Sequence, residues 1–393
     1  MMDKIVRIAL VIKTLGLEYD DRVRKEILSI QGLFPNIRFK IFAMLPENKR
    51  IEGVTDYGVP FCSVYVPARD KYPSAQKALL KAWQFQRAIE GELKTFDAVW
   101  CANDDTLVTV ALTSNKRTLW DLHEIPATLT GSSLRRSILK YLFSRCKVVI
   151  HANPQRRAYL ESLGLLKRPD RHYALRNYPN FDDEDKEYDE KYNSFLEWKK
   201  DRKCIYLQGL ADERRAAYES VKAVMDGTDL CAVVVGGFHK PSKERLINEY
   251  GQSLNERILF IGQVPQMKIP QYVKQCFISM VFYKNVSPNN WFCEANRFYQ
   301  SVILGLPVVT GFNPSMRELI DQYGFGVSIE DDGSHIDKIV EGINQLLNNY
   351  DIYHNNTLKY RDQILWNKQE TILKELVEKL ISDNKNEIEY VFN

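Results

Sequence analysis

The chain has 393 residues, of which 45% are hydrophobic and 27% charged, with a formal net charge of +3. That length exceeds one ordinary α/β core and suits two domains, and that composition excludes a disordered chain. No apolar run approaches the ~20 residues that span a bilayer, and no signal-peptide pattern opens the chain, so a cytoplasmic protein is expected.

Apolar, β-rich runs alternate with longer helical patterns, which is the signature of parallel sheets covered by helices. In the first half, strands are predicted at 7–13, 38–44, 96–102, 117–122, 147–153 and 172–177, with helical patterns at 20–30, 74–93 and 134–144. The acidic run 181–190 shows no apolar periodicity and reads as a solvated linker. The alternation restarts with strands at 203–209, 230–236, 257–262, 277–283, 307–310 and 326–329, and ends in helices at 336–347 and 366–380. In the last of these Ile372, Leu373, Leu376, Val377 and Leu380 recur at helical spacing. Two doubly wound α/β domains follow: 1–180, then a linker region 181–202, then 203–362, with a closing helical segment 363–393.

Charge is unevenly placed. Residues 1–180 carry 29 Lys/Arg against 18 Asp/Glu, and residues 181–393 carry 25 against 33. The densest basic stretch, 132–176, holds 11 basic residues opposed only by Glu161 and Asp170. No aromatic-interleaved RNA motif, zinc finger or helix-turn-helix pattern accompanies it, so no nucleic-acid partner is expected. An anionic membrane surface or an anionic acceptor explains the asymmetry equally well. The seven cysteines are scattered without a Cys-x-x-Cys pair, which reads as buried reduced thiols and no metal site.

In doubly wound sheets ligands bind beyond the carboxyl ends of the strands, so the residues just after each strand matter most. After the first strand, Gly16 could let backbone approach a ligand near a helix N-terminus; the same segment also reads as a plain turn with Asp20 capping the helix. His123, in Asp121-Leu122-His123-Glu124, is either structural or positioned to hold a substrate hydroxyl. The helix near 132–147 places Leu134, Ile138, Tyr141 and Leu142 on one face and Arg135, Arg136 and Lys140 elsewhere. It suits either a core-packed surface helix or an interfacial membrane helix.

In the second half, Gly209 ends a strand and Arg214 and Arg215 follow it; a guanidinium can give a phosphate two parallel hydrogen bonds. Gly236-Gly237 and Gly262-Gln263 end the next two strands. The run from Asn296 to Thr310 is a helix stopped at Gly305, barred from continuing by Pro307 and followed by the short strand Val308-Val309.

These segments, in this order, resemble the nucleotide-sugar glycosyltransferases of GT-B architecture, and in particular the large retaining family of bacterial glycan-assembly enzymes. Asp20-Asp21-Arg22-Val23 is similar to the family's Asp-x-Arg-Val, and Asp121-Leu122-His123-Glu124 to its Asp-x-His-Glu. Asn296-Arg297 stands at its Asn-Lys pair, and Gly305-Leu306-Pro307-Val308-Val309 at its Gly-Leu-Pro-Val-Val. The resemblance implies two Rossmann-like domains facing across a cleft, with the C-terminal helix crossing back to the first. It implies a donor site built by Gly16, Gly209, Arg215, Gly237, Gln263, Asn296, Arg297 and Gln300, with His123 at the donor sugar. The family's two catalytic glutamates fall on Phe292 and Gln300, neither acidic; Glu294, two residues from the first, is the substitute carboxylate.

The implied activity is retaining, metal-independent transfer from a nucleotide diphosphate sugar, which is the donor substrate and not a cofactor. The acceptor would be a glycan or a lipid-linked glycan at the cytoplasmic membrane face, met through the basic helix. Two alternatives share the architecture: a non-catalytic partner subunit, favoured by the neutral Phe292 and Gln300, and a nucleotide-sugar 2-epimerase, which would need more acidic residues.

Overall fold

The computed structural model describes residues 5–13, 17, 20–73, 76–180 and 190–382. Gly16 and most of the acidic run expected as a linker lie outside the described residues. The chain divides into two compact units, one from Met1–Asn177 with Gln369–Asn393 and the other from Tyr178–Lys368.

The first unit is built on an eight-stranded sheet. Its strands are β1 (Val6–Ile12), β2 (Ile37–Ala43), β3 (Ile51–Val54), β4 (Pro60–Ser63), β5 (Ala98–Ala102), β6 (Thr118–Leu122), β7 (Val148–His151) and β8 (His172–Ala174). They lie in the order β3-β4-β2-β1-β5-β6-β7-β8, with every neighbouring pair parallel except β3 and β4. All five residues of β5 and of β6 are buried, as expected of central strands covered by helices on both faces. The β3–β4 hairpin has no counterpart among the predicted strands. It lies at the sheet edge, where β3 alternates between half-buried and exposed residues, so it lacks a continuous apolar run.

The second sheet comprises β9 (Cys204–Leu210), β10 (Cys231–Phe238), β11 (Ile258–Gly262), β12 (Ile278–Val281), β13 (Val308–Thr310) and β14 (Gly326–Ser328). Its order is β11-β10-β9-β12-β13-β14, all parallel. Counted within the unit, this is the order 3-2-1-4-5-6 of a dinucleotide-binding fold. The strand order reverses between β9 and β12, and ligand crevices form at such a switch point. In the first sheet the reversal falls between β1 and β5.

Two local devices fix these frames. Helix Asn296–Ile303 ends as anticipated at Gly305, whose φ is +88°. Gly305 N–H donates to Val302 O at 3.0 Å and Leu306 N–H to Ser301 O at 2.9 Å, the paired bonds of a Schellman cap. The final helix Glu370–Ile381 packs on the first unit by burying Leu373, Leu376, Val377 and Leu380. Polar ties add to this packing: Ser29 Oγ donates to Glu370 Oε1 at 3.1 Å, and Lys147 Nζ donates to Ser382 O at 2.6 Å.

Candidate functional site

At the carboxyl edge of the second sheet, β9 ends in Gly209 with φ +59°, a conformation that disfavours any side chain. A Cβ added to Gly236 would stand 3.3 Å from Gly209 N, so the ends of β9 and β10 approach backbone to backbone. A Cβ added to Gly237 would meet Ala211 Cβ at 3.0 Å and Gln263 Nε2 at 3.5 Å. Gly209, Gly237 and Gln263 thus lie together at the carboxyl ends of β9, β10 and β11, where a larger side chain at either glycine would crowd its neighbours.

The turn Glu213–Arg215 sorts its two arginines. Asp212 caps it by accepting from Arg214 N at 2.9 Å, and the same carboxylate holds the exposed Arg214 guanidinium. Arg215 is left to fold back over the strand end, donating from Nη1 to Gly209 O at 2.6 Å. Its Cζ lies 5.7 Å from the ring centroid of Tyr283, just beyond β12. Arg297 Cζ lies 5.0 Å from the same ring.

Arg297 is only 5% exposed. It donates to Gln208 O, and through Nη2 to Phe282 O at 3.0 Å, while Nε has no hydrogen-bond partner. Among the described residues neither Arg215 nor Arg297 forms an ion pair with a carboxylate. Burial lowers the Arg297 pKa from its ordinary value; the neighbouring Tyr283 opposes that shift and the charge of Arg215 adds to it. A buried cation that is not neutralised by an acid is costly to the fold and is a receptor for an anion.

Arg297 projects from the first turn of helix Asn296–Ile303, which has no side-chain N-cap. Asn296 on this helix is exposed and Gln300 is half-buried. Glu294, just before the helix, accepts a hydrogen bond from the buried Tyr299 hydroxyl. The loop leading to it is tied down: Ser287 caps the turn Pro288–Trp291, and Asn313 Nδ2 donates to Asn290 O at 2.9 Å.

In the first unit, Asp121 in β6 is fully buried. It accepts from Arg22 Nη2 at 2.8 Å and lies 2.9 Å from His123 Nε2. Arg22 also stands 3.0 Å from Glu26 Oε1 and donates to Leu175 O at 3.0 Å. Burial pushes the Asp121 carboxyl up, but Arg22 and His123 outweigh it and hold the group well below the usual carboxylate range. Burial and then the charge of Asp121 push Glu26 well above its usual range. A protonated Glu26 beside an ionised Asp121 is the arrangement that two buried carboxylates sharing one arginine adopt. His123 Nδ1 has no partner among the described residues, and the side chain is 21% exposed.

Nearby, Asn103 ends β5 at φ +68°, ψ 168°, a region nearly reserved for glycine. Burial raises Asp105, two residues on, to about 6.

The structure therefore gathers Gly209, Arg215, Gly237, Gln263 and Arg297 at one sheet edge. Asn296 and Gln300 lie on the helix that carries Arg297, with Glu294 immediately before it. His123 belongs to the other unit. Arg22 stands in the Asp-x-Arg-Val-like segment, whereas Tyr283 and Glu26 carry no motif signal that separates them from ordinary core residues. Among the described residues no group of three or more His, Cys, Asp or Glu side chains is arranged to hold a metal ion.

No protein-family model and no curated protein matches this chain. Solved structures do match it. Sucrose-phosphate synthase from Thermosynechococcus elongatus superposes with a TM-score of 0.73 at 15% identity, covering 95% of this chain and 99% of that one. Anabaena HepE in complex with UDP and glucose gives 0.71 at 12% identity, with the same shares covered. An α,α-trehalose-phosphate synthase (UDP-forming) from Burkholderia vietnamiensis gives 0.70 at 9% identity, covering 96% and 99%. These neighbours are GT-B glycosyltransferases. The chain has their GT-B fold, with two Rossmann-like units and a final helix returning to the first.

Proposed function

We propose that this protein is a glycosyltransferase that takes a sugar from a uridine-diphosphate-type donor. The observation that carries the reading is the meeting of Arg215 and Arg297 over Tyr283 at the strand-order switch of the second sheet. Two cations without carboxylate partners, one of them buried, suit a diphosphate whose negative charge grows as the sugar departs. The backbone edge at Gly209 and Gly237, with Gln263 beside it, accommodates the rest of the nucleotide, and Asn296 and Gln300 offer uncharged hydrogen bonds to it. The UDP complexes of HepE, alike in fold, support uridine as the base.

In this reading transfer is retaining and needs no metal, because Arg215, Arg297 and the N-terminus of helix Asn296–Ile303 stabilise the leaving group. His123 receives a substrate hydroxyl, and Glu294 is the carboxylate nearest the sugar. The first unit takes a glycan or lipid-linked acceptor, at the inner face of the cell membrane, with the basic helix Ser133–Arg145 meeting anionic lipid. The protein is cytoplasmic and peripheral and works in polysaccharide assembly.

A second reading, a non-catalytic partner of the same fold, is favoured by one observation: Phe292 and Gln300 are neutral, and the carboxylate of Glu294 is engaged by Tyr299. Thermal-shift measurement against a panel of nucleotide sugars tests the main reading, since a bound donor stabilises by mass action. A rise with UDP-sugars, followed by transfer to an acceptor, is expected. Stabilisation with no transfer to any acceptor selects the partner reading, and no stabilisation by any nucleotide sugar overturns the donor assignment.

A further inference from the structure

Three helices of the first unit pack side by side: Ala78–Leu93 against Leu107–Leu112, and Leu107–Leu112 against Ser133–Arg145. Each has its inward side filled. Phe85, Ile89 and Leu93 are buried on the first, Val110 on the second, and Leu139, Leu142 and Phe143 on the third. This corrects the sequence-based face of the basic helix: of Leu134, Ile138, Tyr141 and Leu142, only Leu142 points into the core. The other three stand outward at spacing i, i+4, i+7, with Leu134 74% and Tyr141 54% exposed. Leu79, Leu80 and Trp83 stand outward on the first helix, and Leu112 on the second. The three helices together thus present a second apolar set that the fold does not use.

The charge beside the outward apolar residues is mostly of one sign. Helix Ser133–Arg145 carries Arg135, Arg136, Lys140 and Arg145 and no acid, and helix Leu107–Leu112 carries no charge. The acids of the first helix, Glu90 and Glu92, stand in its last turn, away from Leu79, Leu80 and Trp83, and are already paired with Arg87, Lys94, Lys40 and Arg50. A second copy of the chain docked through these apolar residues would bring the basic residues of Ser133–Arg145 together with no unpaired acid of the three helices to meet them. An acidic partner surface is needed, and the scattered aliphatic and aromatic residues ask for an apolar layer just beneath it. A bilayer with anionic headgroups supplies both. Trp and Tyr, amphipathic at the ring, settle at headgroup level.

Orientation follows from topology. Helices Ala78–Leu93 and Ser133–Arg145 each follow one strand and precede the next strand of a parallel run, so their N-terminal halves lie toward the strands' carboxyl edge. Leu79, Leu80, Trp83, Leu134 and Ile138 all lie in those halves, and His123 lies at that edge.

We propose that the outer surface of these three helices docks on an anionic lipid bilayer, with Trp83, Leu134, Ile138 and Tyr141 as anchors and the carboxyl edge of the first sheet beside the membrane. This extends the membrane part of the reading above from one helix to three and does not depend on the donor assignment.

The test is co-sedimentation of the full chain, without nucleotide, with vesicles of phosphatidylcholine alone or mixed with phosphatidylglycerol. Wild type should bind the mixed vesicles and not the neutral ones, and binding should fall as salt rises past ~0.1 M, where the Debye length shrinks to ~10 Å. Trp83→Ala and the pair Leu134→Ser with Ile138→Ser should each lower partition roughly tenfold or more, through lost apolar contact. Arg135→Glu with Lys140→Glu should abolish the anionic preference. All these side chains point outward, and an unchanged circular dichroism melt confirms that each variant folds.

Wild type that ignores mixed vesicles at low salt overturns the proposal. So do variants that bind as wild type does, or a concentration-dependent dimer that the same variants dissociate in the absence of vesicle binding. Failure to bind UDP would sink the donor reading and leave this result standing.

Discussion

Replacing Arg297 by methionine tests the proposed anion-binding role of the second unit, because methionine keeps length and burial while removing the charge and the donors. In the folded protein the guanidinium spends bonds on Gln208 O and Phe282 O and leaves Nε unpartnered, with no carboxylate to neutralise it. For stability two effects oppose each other. The variant no longer buries a cation, but it leaves two carbonyls unbonded at about 1–3 kcal/mol each. A small net change in melting temperature is therefore expected.

For binding nothing offsets the loss. A charge-assisted contact contributes about 1.5–3 kcal/mol, so UDP affinity should fall about 10- to 150-fold. Calorimetric titration with UDP and with uridine reads this directly: UDP should weaken and uridine should not. Arg215→Met should behave alike, and the double variant should be non-additive, since the two charges sit over one ring and repel each other. Unchanged UDP affinity in Arg297→Met, or an equal loss for uridine, refutes the assignment.

Other outcomes follow from the first unit and from the loop before helix Asn296–Ile303. His123→Ala should lower turnover while leaving UDP affinity unchanged; equal turnover in a verified transfer assay would return His123 to a structural role. Glu294→Gln should lower kcat roughly 10²-fold, the scale of one well-placed electrostatic group, with donor affinity little changed. An equally active variant would leave Glu294 only its bond to Tyr299. Glu26→Gln should stabilise the protein at neutral and alkaline pH. The Glu26 pKa is raised in the folded state, so its contribution is intact below the unfolded value of 4.5 and is lost as pH rises toward the higher folded value. The amide reproduces the protonated acid, so melting curves of wild type and variant should converge near pH 4.5 and separate above it. Parallel curves across that range would mean that Glu26 is ionised in the fold.

The twelve strands anticipated from apolar runs are all present; the central ones are buried along most of their length and so write a continuous hydrophobic signal, as Cys231–Phe238 does in the second sheet. The β3–β4 hairpin escaped because its two strands are four residues each and partly exposed, Ile51–Val54 interrupted by Glu52 and Gly53, so they write no such run. Helix Tyr350–Tyr360 escaped too, because it is largely polar and half-exposed; its His354 Nδ1 lies 2.9 Å from Gly305 O, at the end of helix Asn296–Ile303. At the candidate site, the glycines and arginines after strands were legible by position as residues of the sheet's carboxyl edge. Between the adjacent Arg214 and Arg215, the choice of Arg215 comes from the resemblance alone, since the two are identical in type. The folded turn adds a physical reason, since Asp212 takes Arg214. Arg22 and Asp121 stood in recognisable segments, but their pairing, and the places of Glu26 and Tyr283, were not legible because they depend on contacts between segments as much as 153 residues apart, such as Arg22 with Leu175 O.

The distribution of charge also says where the chemistry must be helped. Around the proposed diphosphate stand two cations and a helix N-terminus; around the expected carboxylate positions stand Phe292, Gln300 and a Glu294 held by Tyr299. Stabilisation is thus weighted toward the departing group and away from the positive charge that grows on the sugar. With such weighting, catalysis rests on how strongly the diphosphate is bound as its charge increases, so a loss at Arg215 or Arg297 should reach kcat as well as KM. An enzyme relying on a carboxylate at the sugar would show the reverse order, with Glu294→Gln the most damaging single change. Comparing kcat for Arg297→Met with that for Glu294→Gln on one donor and acceptor therefore measures which side of the breaking bond this protein supports.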